Sequence, residues 1–138
     1  MNSMTTSLTK KFLCKKLARD FVESSCKNKN IKTTSRLLKK EELLHAFKAK
    51  IIEEAEEVSE ALDKNELIEE LGDLMEVIES FMKTADIDPL AVKKSRELKK
   101  NQIGGFETGL YLEYIEVALD SPDFTRYSSR PHKYPVLT

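Results

Sequence analysis

The 138-residue sequence is short of the residues that interrupt helices and of those that cross-link a chain. It has four glycines, four prolines, two cysteines and no tryptophan. So few glycines and prolines, beside 40% hydrophobic and 34% charged residues, are typical of a mainly helical protein and exclude a disordered or fibrous chain. The length predicts one domain, with one active site per chain or one shared between chains.

Signals for export, membrane insertion and disulfide formation are also lacking. Cys14 and Cys26 have neither the spacing of metal ligands nor a secretory context, so we predict reduced thiols. No apolar run approaches the roughly 20 residues that a membrane span needs, and the first ten residues lack the apolar stretch of a signal peptide. We therefore expect a cytoplasmic protein with no membrane partner, and the acid-free N-terminus leaves a transit segment as the alternative.

The sequence has almost no net charge: 23 basic and 24 acidic residues give −1. No global field would draw it to a nucleic acid polymer, so any polyanion must be bound locally. The charges are nevertheless segregated, with lysines over residues 10–50, glutamates over 53–79, and lysines and arginine over 93–100. That distribution suits a metal site flanked by phosphate-binding cations.

Apolar residues spaced by three and four predict four helices. These should cover about residues 9–27, 40–62, 66–84 and 89–101. Asn65 is the expected N-cap of the third helix and Asp88 that of the fourth, which Gly104 and Gly105 should end. Residues 31–38 could form a short strand, and residues 106–117 a strand or a short helix.

The short polar turn between the second and third helices predicts an antiparallel αα-hairpin. One hairpin rarely buries enough apolar surface by itself. We therefore expect a mainly α fold, a helical bundle built on that hairpin, with a small two-stranded β element as an option and with oligomerisation completing the bundle. Residues 1–119 should form the domain, and residues 120–138, with three prolines, a disordered tail or an arm lying on a partner.

Two acidic pairs spaced i, i+3 are the most informative feature. On the second helix Glu54 lies about 60° from the centre of the apolar stripe and Glu57 about 120°, whereas Glu53 points to the opposite side. On the third helix Glu70 lies about 90° and Asp73 about 150° from the stripe. Half-buried carboxylates are costly without a cation, and hard oxygen ligands favour magnesium or manganese. The alternative is an acidic, solvated helix face.

Gly72 stands between the two acids of the third helix. It costs about 1 kcal/mol relative to alanine in a helix interior. Its presence would make sense if another group approached the backbone closely at that point.

The order Glu54-x-x-Glu57, a linker, then Glu70-x-x-Asp73 resembles the MazG-like superfamily of all-α nucleoside triphosphate pyrophosphohydrolases, in its phosphoribosyl-ATP pyrophosphohydrolase-like branch. The likeness runs from Lys-Leu-Ala-Arg-Asp at residues 16–20, through Leu-Leu at 37–38, to Gly-Gly-Phe-Glu-Thr-Gly at 104–109. The resemblance implies that the four acids bind magnesium, with manganese as an option, and that the reaction releases pyrophosphate and a nucleoside monophosphate.

The resemblance also implies roles for individual side chains. Glu54 or Glu57 would position the attacking water. The cations that would meet the substrate phosphates are Lys99, Arg19, Lys16 and Arg96. The sequence departs from the family pattern in two places: residues 21–23 are Phe-Val-Glu where Lys-Ile-Pro is usual, and Ile103 stands where an arginine often precedes the glycines. Both departures bear on substrate preference and on activity.

Three functions remain open at this point. The first is hydrolysis of a nucleoside triphosphate, as in house-cleaning of the nucleotide pool. The second is phosphoribosyl-ATP pyrophosphohydrolysis, which would share the metal site and differ in the base and ribose pocket. The third is a catalytically silent helical module that docks a partner through its tail. For the enzymes we expect a homodimer or a dimer of dimers.

Overall fold

The computed structural model of the chain describes residues 8–138, and these contain five α-helices. Their bounds are α1 Val22–Asn28, α2 Lys40–Glu60, α3 Lys64–Thr84, α4 Pro89–Ile103 and α5 Phe124–Ser128. The protein is therefore mainly α, as predicted. The described residues contain no strand, so the optional β element is wrong. The expectations about the extreme N-terminus, a missing signal peptide or a transit segment, lie largely outside the described residues.

Contacts along the chain define two compact units, and the boundary between them in the sequence falls within α4. The first unit extends to Leu98, and the second is Lys99–Thr138. The domain boundary expected after residue 119 therefore differs in position from this division and stays a prediction.

In the first unit α2 and α3 pack side by side and are joined by the three-residue turn 61–63, which is the expected hairpin. Phe47 of α2 is the buried apolar residue at the contact, and its ring centroid lies 5.7 Å from that of Phe81 on α3. Apolar periodicity succeeds here because the two helices pack on each other through their apolar sides, with Phe47 buried at the contact.

The N-cap of α3 is Asp63, so the assignment to Asn65 is wrong. The Asp63 carboxylate accepts a hydrogen bond from the Glu66 N–H, and the Glu66 carboxylate accepts one from the Leu62 N–H. The Asp63 side chain thus caps one free N–H of the first turn, and the helix begins two residues earlier than expected.

The helix predicted over residues 9–27 is also wrong, because only Val22–Asn28 is helical there. Lys15 adopts a positive φ of 42°, which ends any helix, and a helix would have stacked Lys11 and Lys15 at an unfavourable i, i+4 spacing. Lys16 and Arg19 instead reach acids on α2 and α3. These ion pairs connect the irregular segment before α1 to the hairpin.

In the second unit, Gly104 ends α4 as predicted, with φ of 84° and its N–H donating to the Lys100 carbonyl. Residues 106–117, expected as strand or helix, are neither. The tail holds the five-residue helix α5, and the Tyr127 and Tyr134 rings meet edge to face at 4.9 Å. Whether the tail is disordered or an arm on a partner stays a prediction.

The structure bears on two further expectations. Cys14 and Cys26 are free cysteines. None of the helices in residues 8–138 is both long enough and apolar enough to cross a membrane.

Candidate metal centre and phosphate site

Three carboxylates of the hairpin converge on one place. Glu54 comes from α2, and Glu70 and Asp73 come from one flank of α3. One oxygen from each lies within 4.8 Å of the others. Glu54 is buried, and the other two are half-buried. Three hard oxygen donors at this spacing fit a small divalent cation such as Mg²⁺ or Mn²⁺.

The helical repeat explains this convergence. Glu70 and Asp73 are three residues apart and so lie on one side of α3, one turn from each other. Glu54 occupies a position on α2 where the apolar contact with α3 would call for a hydrophobic residue. Within the described chain the buried residues are Phe47 and Glu54. The burial of Glu54 is unusual, because charged side chains are rarely buried.

Glu57, the fourth acid of the predicted set, is exposed and lies outside the group of three. It is nevertheless close enough for its charge to raise the pKa of Glu70. Glu57 therefore borders the cluster, with its carboxylate open to solvent.

Glu70 lacks a compensating cation. Partial burial raises the pKa of its carboxyl group, and the negative charges of Glu57, Asp73 and Glu54 raise it further. Glu70 makes no ion pair with any residue from 8 to 138. An unpaired acid surrounded by acids fits a site completed by a cation, because a metal would remove the repulsion that disfavours its charged form.

Two of the predicted phosphate ligands reach this acidic flank from the N-terminal segment. The Arg19 guanidinium donates to Oδ1 of Asp73 at 2.7 Å. The Lys16 ammonium donates to Oε1 of Glu53 at 3.0 Å, and this hydrogen bond and the Glu53 charge raise the pKa of Lys16. Both side chains are more than half exposed, so they remain within reach of a ligand in solvent.

The ion pairs also include two residues that the sequence interpretation missed. Lys50 lies 3.2 Å from Oε2 of Glu53 and 3.2 Å from Oε1 of Glu54. Glu53, expected on the solvated side, is half-buried. Burial alone would raise its pKa, but the hydrogen bonds and charges of Lys16 and Lys50 together hold the pKa below its ordinary value. The i, i+4 spacing of Lys50 and Glu54 was the available signal.

Arg96 and Lys99, the other two predicted phosphate ligands, are both exposed on α4. Arg96 belongs to the first unit and Lys99 to the second. Their roles toward a phosphate stay predictions.

The close approach expected at Gly72 does not come from the described residues of this chain. A Cβ placed on this glycine would meet nothing within 4 Å among the described residues. No group of this chain approaches the helix backbone there, so the glycine is not needed for a close contact within the chain.

The hairpin and its acids define a class: an all-α protein with a candidate site for a hard divalent cation. The sequence model of the phosphoribosyl-ATP pyrophosphohydrolase family matches residues 14–100, which is more than half of the chain, and the chain belongs to this family. Comparisons with curated proteins and with solved structures found no match. The matched region contains all four predicted acids, and the family is one of nucleotide pyrophosphohydrolases, which cleave phosphoric anhydride bonds.

Proposed function

We propose that the protein hydrolyses a nucleoside triphosphate or a related nucleotide to the monophosphate and pyrophosphate, with Mg²⁺ or Mn²⁺ as cofactor. The observation that supports this most is the convergence of Glu54, Glu70 and Asp73 within 4.8 Å, in a chain of a pyrophosphohydrolase family. The three carboxylates repel one another, and Glu70 has no ion-pair partner among residues 8–138, so a divalent cation would relieve the repulsion.

In this proposal the three converging carboxylates hold the cation. Bound there, it would neutralise phosphate oxygens and make water a better nucleophile. Glu57 borders the cluster and is exposed, so it can position the attacking water and accept its proton. Glu54 is the alternative residue for this role. No covalent intermediate on the protein is required.

Cations of the chain would bind the phosphates. Arg19 already donates to a carboxylate oxygen of Asp73, and a phosphate oxygen is the same kind of acceptor. Lys16 likewise donates to a carboxylate oxygen, that of Glu53 on α2. Arg96 and Lys99 are further candidates for phosphate binding. They would stabilise the negative charge on the leaving pyrophosphate.

A panel of nucleotides tests the proposal: ribo- and deoxyribonucleoside triphosphates and phosphoribosyl-ATP, each with Mg²⁺, scored for pyrophosphate and orthophosphate. We expect pyrophosphate and the monophosphate. Release of orthophosphate would mean that another phosphoric anhydride bond is cleaved. Inertness towards every nucleotide, together with no stabilisation by Mg²⁺, would favour the silent interaction module.

Phosphoribosyl-ATP is the second candidate substrate, and the family match favours it as much as a simple triphosphate. Both would use the same carboxylates. The ratio of kcat/KM for the two in the same panel separates them, and a preference for free triphosphates would support a house-cleaning role in the cytoplasm.

We further propose that the protein is a homodimer or a dimer of dimers. Apolar side chains of α3 spaced by three and four are partly exposed: Ile68, Leu71, Met75 and Ile78. Such a stripe on one helix side suits a second copy of the hairpin. Met75→Lys should lower the mass measured by light scattering, whereas Glu76→Lys, at an exposed neighbouring position, should not. An unchanged mass in Met75→Lys would exclude this stripe.

The tail is proposed to be separable from the domain. Truncation after Leu119 removes α5 and the Tyr127–Tyr134 contact, which are local to the tail. Helicity by circular dichroism should persist. If the tail is an arm on a partner copy, the oligomer or its melting temperature should decrease, and loss of helicity would mean that the boundary is misplaced.

A further inference from the structure

Lys50 is unusual among the lysines of the ion pairs. Its side chain is 14% exposed, whereas those of Lys16, Lys40 and Lys100 are more than half exposed. The ammonium donates a hydrogen bond to Glu53 and is ion-paired with Glu54, in both cases at 3.2 Å. A lysine loses solvation when it is covered in this way, so its location requires the two acids.

The position of Lys50 matters because of what Glu54 faces. The Glu54 side chain is 11% exposed and has Glu70 and Asp73 as neighbours, which are negative as well. In the absence of a divalent cation, the positive charges beside the cluster are Lys50 on Glu54 and Arg19 on Asp73. Arg19 is 61% exposed and comes from a non-helical segment, whereas Lys50 is held within α2 itself.

We propose that Lys50 is a positioning residue of the metal centre that acts as the permanent counter-ion of Glu54. Its ammonium lies 3.2 Å from the Glu54 carboxylate and holds it oriented inside the hairpin before a divalent cation arrives. Glu53 is the second acceptor that shares this ammonium, so Lys50 is not committed to Glu54 alone. The inference rests on the proposed metal-dependent function.

A counter-ion has a consequence that a purely structural lysine does not. Its positive charge stays beside the cation after binding and therefore weakens cation binding. In Lys50→Met, which keeps the length of the side chain and removes the charge, we expect the metal-free protein to melt about 5–10 °C lower, because Glu54 is left without a partner. The same variant should bind Mn²⁺ about tenfold more tightly.

Glu53→Gln should change the affinity in the opposite direction. This substitution removes one of the two acids that share Lys50, so the ammonium pairs with Glu54 alone and competes harder with a cation. Mn²⁺ should bind severalfold more weakly. This second variant keeps the inference testable if Lys50→Met does not fold.

The experiment is calorimetric titration of the full-length protein with Mn²⁺ alone at about pH 8, where carboxylates are ionised, together with thermal melts with and without Mn²⁺. Lys50→Arg keeps the charge and should retain the affinity of the original protein. Lys48→Met, at an exposed position of the same helix, is the matched control and should change neither measurement.

Tighter binding in Lys50→Met with weaker binding in Glu53→Gln supports the counter-ion. Unchanged or weaker binding in Lys50→Met overturns it while leaving the proposed function intact. Absence of any Mn²⁺ binding by the original protein overturns the proposed function as well, so the two failures are distinguishable.

Discussion

The hairpin and the second unit use apolar and charged residues in contrasting ways. In the hairpin, α2 and α3 pack on each other around Phe47, and charged side chains form a connected set of ion pairs. In Lys99–Thr138, large apolar residues such as Phe106 and Leu110 are almost wholly exposed. The hairpin therefore combines linked ion pairs with an apolar contact between its two helices and leaves a stripe of α3 partly exposed, whereas large apolar residues of the second unit are almost fully exposed.

The largest loss of activity is expected for substitutions of the hairpin acids, and it tests whether the hairpin holds the active site. Glu54→Gln and Asp73→Asn should each lower turnover by about 100-fold or more, because losing a partner of a metal ligand already costs about 10–100-fold and these two residues are the proposed ligands themselves. Both keep the shape of the side chain. The measurement is pyrophosphate release under saturating Mg²⁺.

Glu56→Gln is the matched control, because Glu56 is exposed on the same helix. It should retain turnover. Equal losses in Glu54→Gln and Glu56→Gln would show that charge on α2, rather than the cluster, sets the rate.

The next prediction concerns Lys99, which belongs to the second unit, and a smaller loss of activity is expected there than at the acids of the hairpin. Lys99→Ala should lower kcat/KM about tenfold through the loss of one charge-assisted hydrogen bond to a phosphate. Stabilisation by Mg²⁺ should be unchanged, because an ammonium cannot ligate a cation. Lys94→Ala on the same helix is the control. Unaltered kinetics in Lys99→Ala would confine the site to the first unit.

The sequence predicted well what depends on repeating local patterns. The second and fourth helices, the hairpin, and the stop at Gly104 follow from apolar spacing and backbone chemistry. The four candidate acids came from their i, i+3 spacing, and three of them converge in the structure.

What the sequence did not predict depends on contacts between distant residues. Only the end of the helix expected over residues 9–27 forms, and before it Lys16 and Arg19 contact acids 37 and 54 residues away. Glu53 was assigned to solvent because helical angles alone do not reveal that lysines would cover it. Apolar periodicity predicts each helix separately, so it cannot predict ion pairs between different elements.

The N-cap of α3 allows a prediction about the stability of the hairpin. Asp63→Ala should reduce the free energy of unfolding by about 1 kcal/mol, since the Glu66 N–H loses its acceptor. Asn65→Ala, at the position first assigned as the cap, should stay within about 0.5 kcal/mol of the original protein. Urea unfolding measures both. A larger effect at Asn65 would contradict the cap described for α3.

The smallest effect concerns Gly72. Since a Cβ there meets nothing within 4 Å in the described chain, Gly72→Ala should stabilise α3 by about 0.5–1 kcal/mol in urea unfolding. Destabilisation would show that another molecule, such as a second copy, approaches the helix at this point.

We propose above all that the hairpin carboxylates bind a divalent cation. The most direct test is to measure the melting temperature as the Mg²⁺ concentration increases. The account predicts a saturable increase in melting temperature for the original protein, beyond that in potassium chloride of equal ionic strength, and no such increase in Asp73→Asn. An identical response to Mg²⁺ and to potassium, or an undiminished Mg²⁺ response in Asp73→Asn, would contradict it.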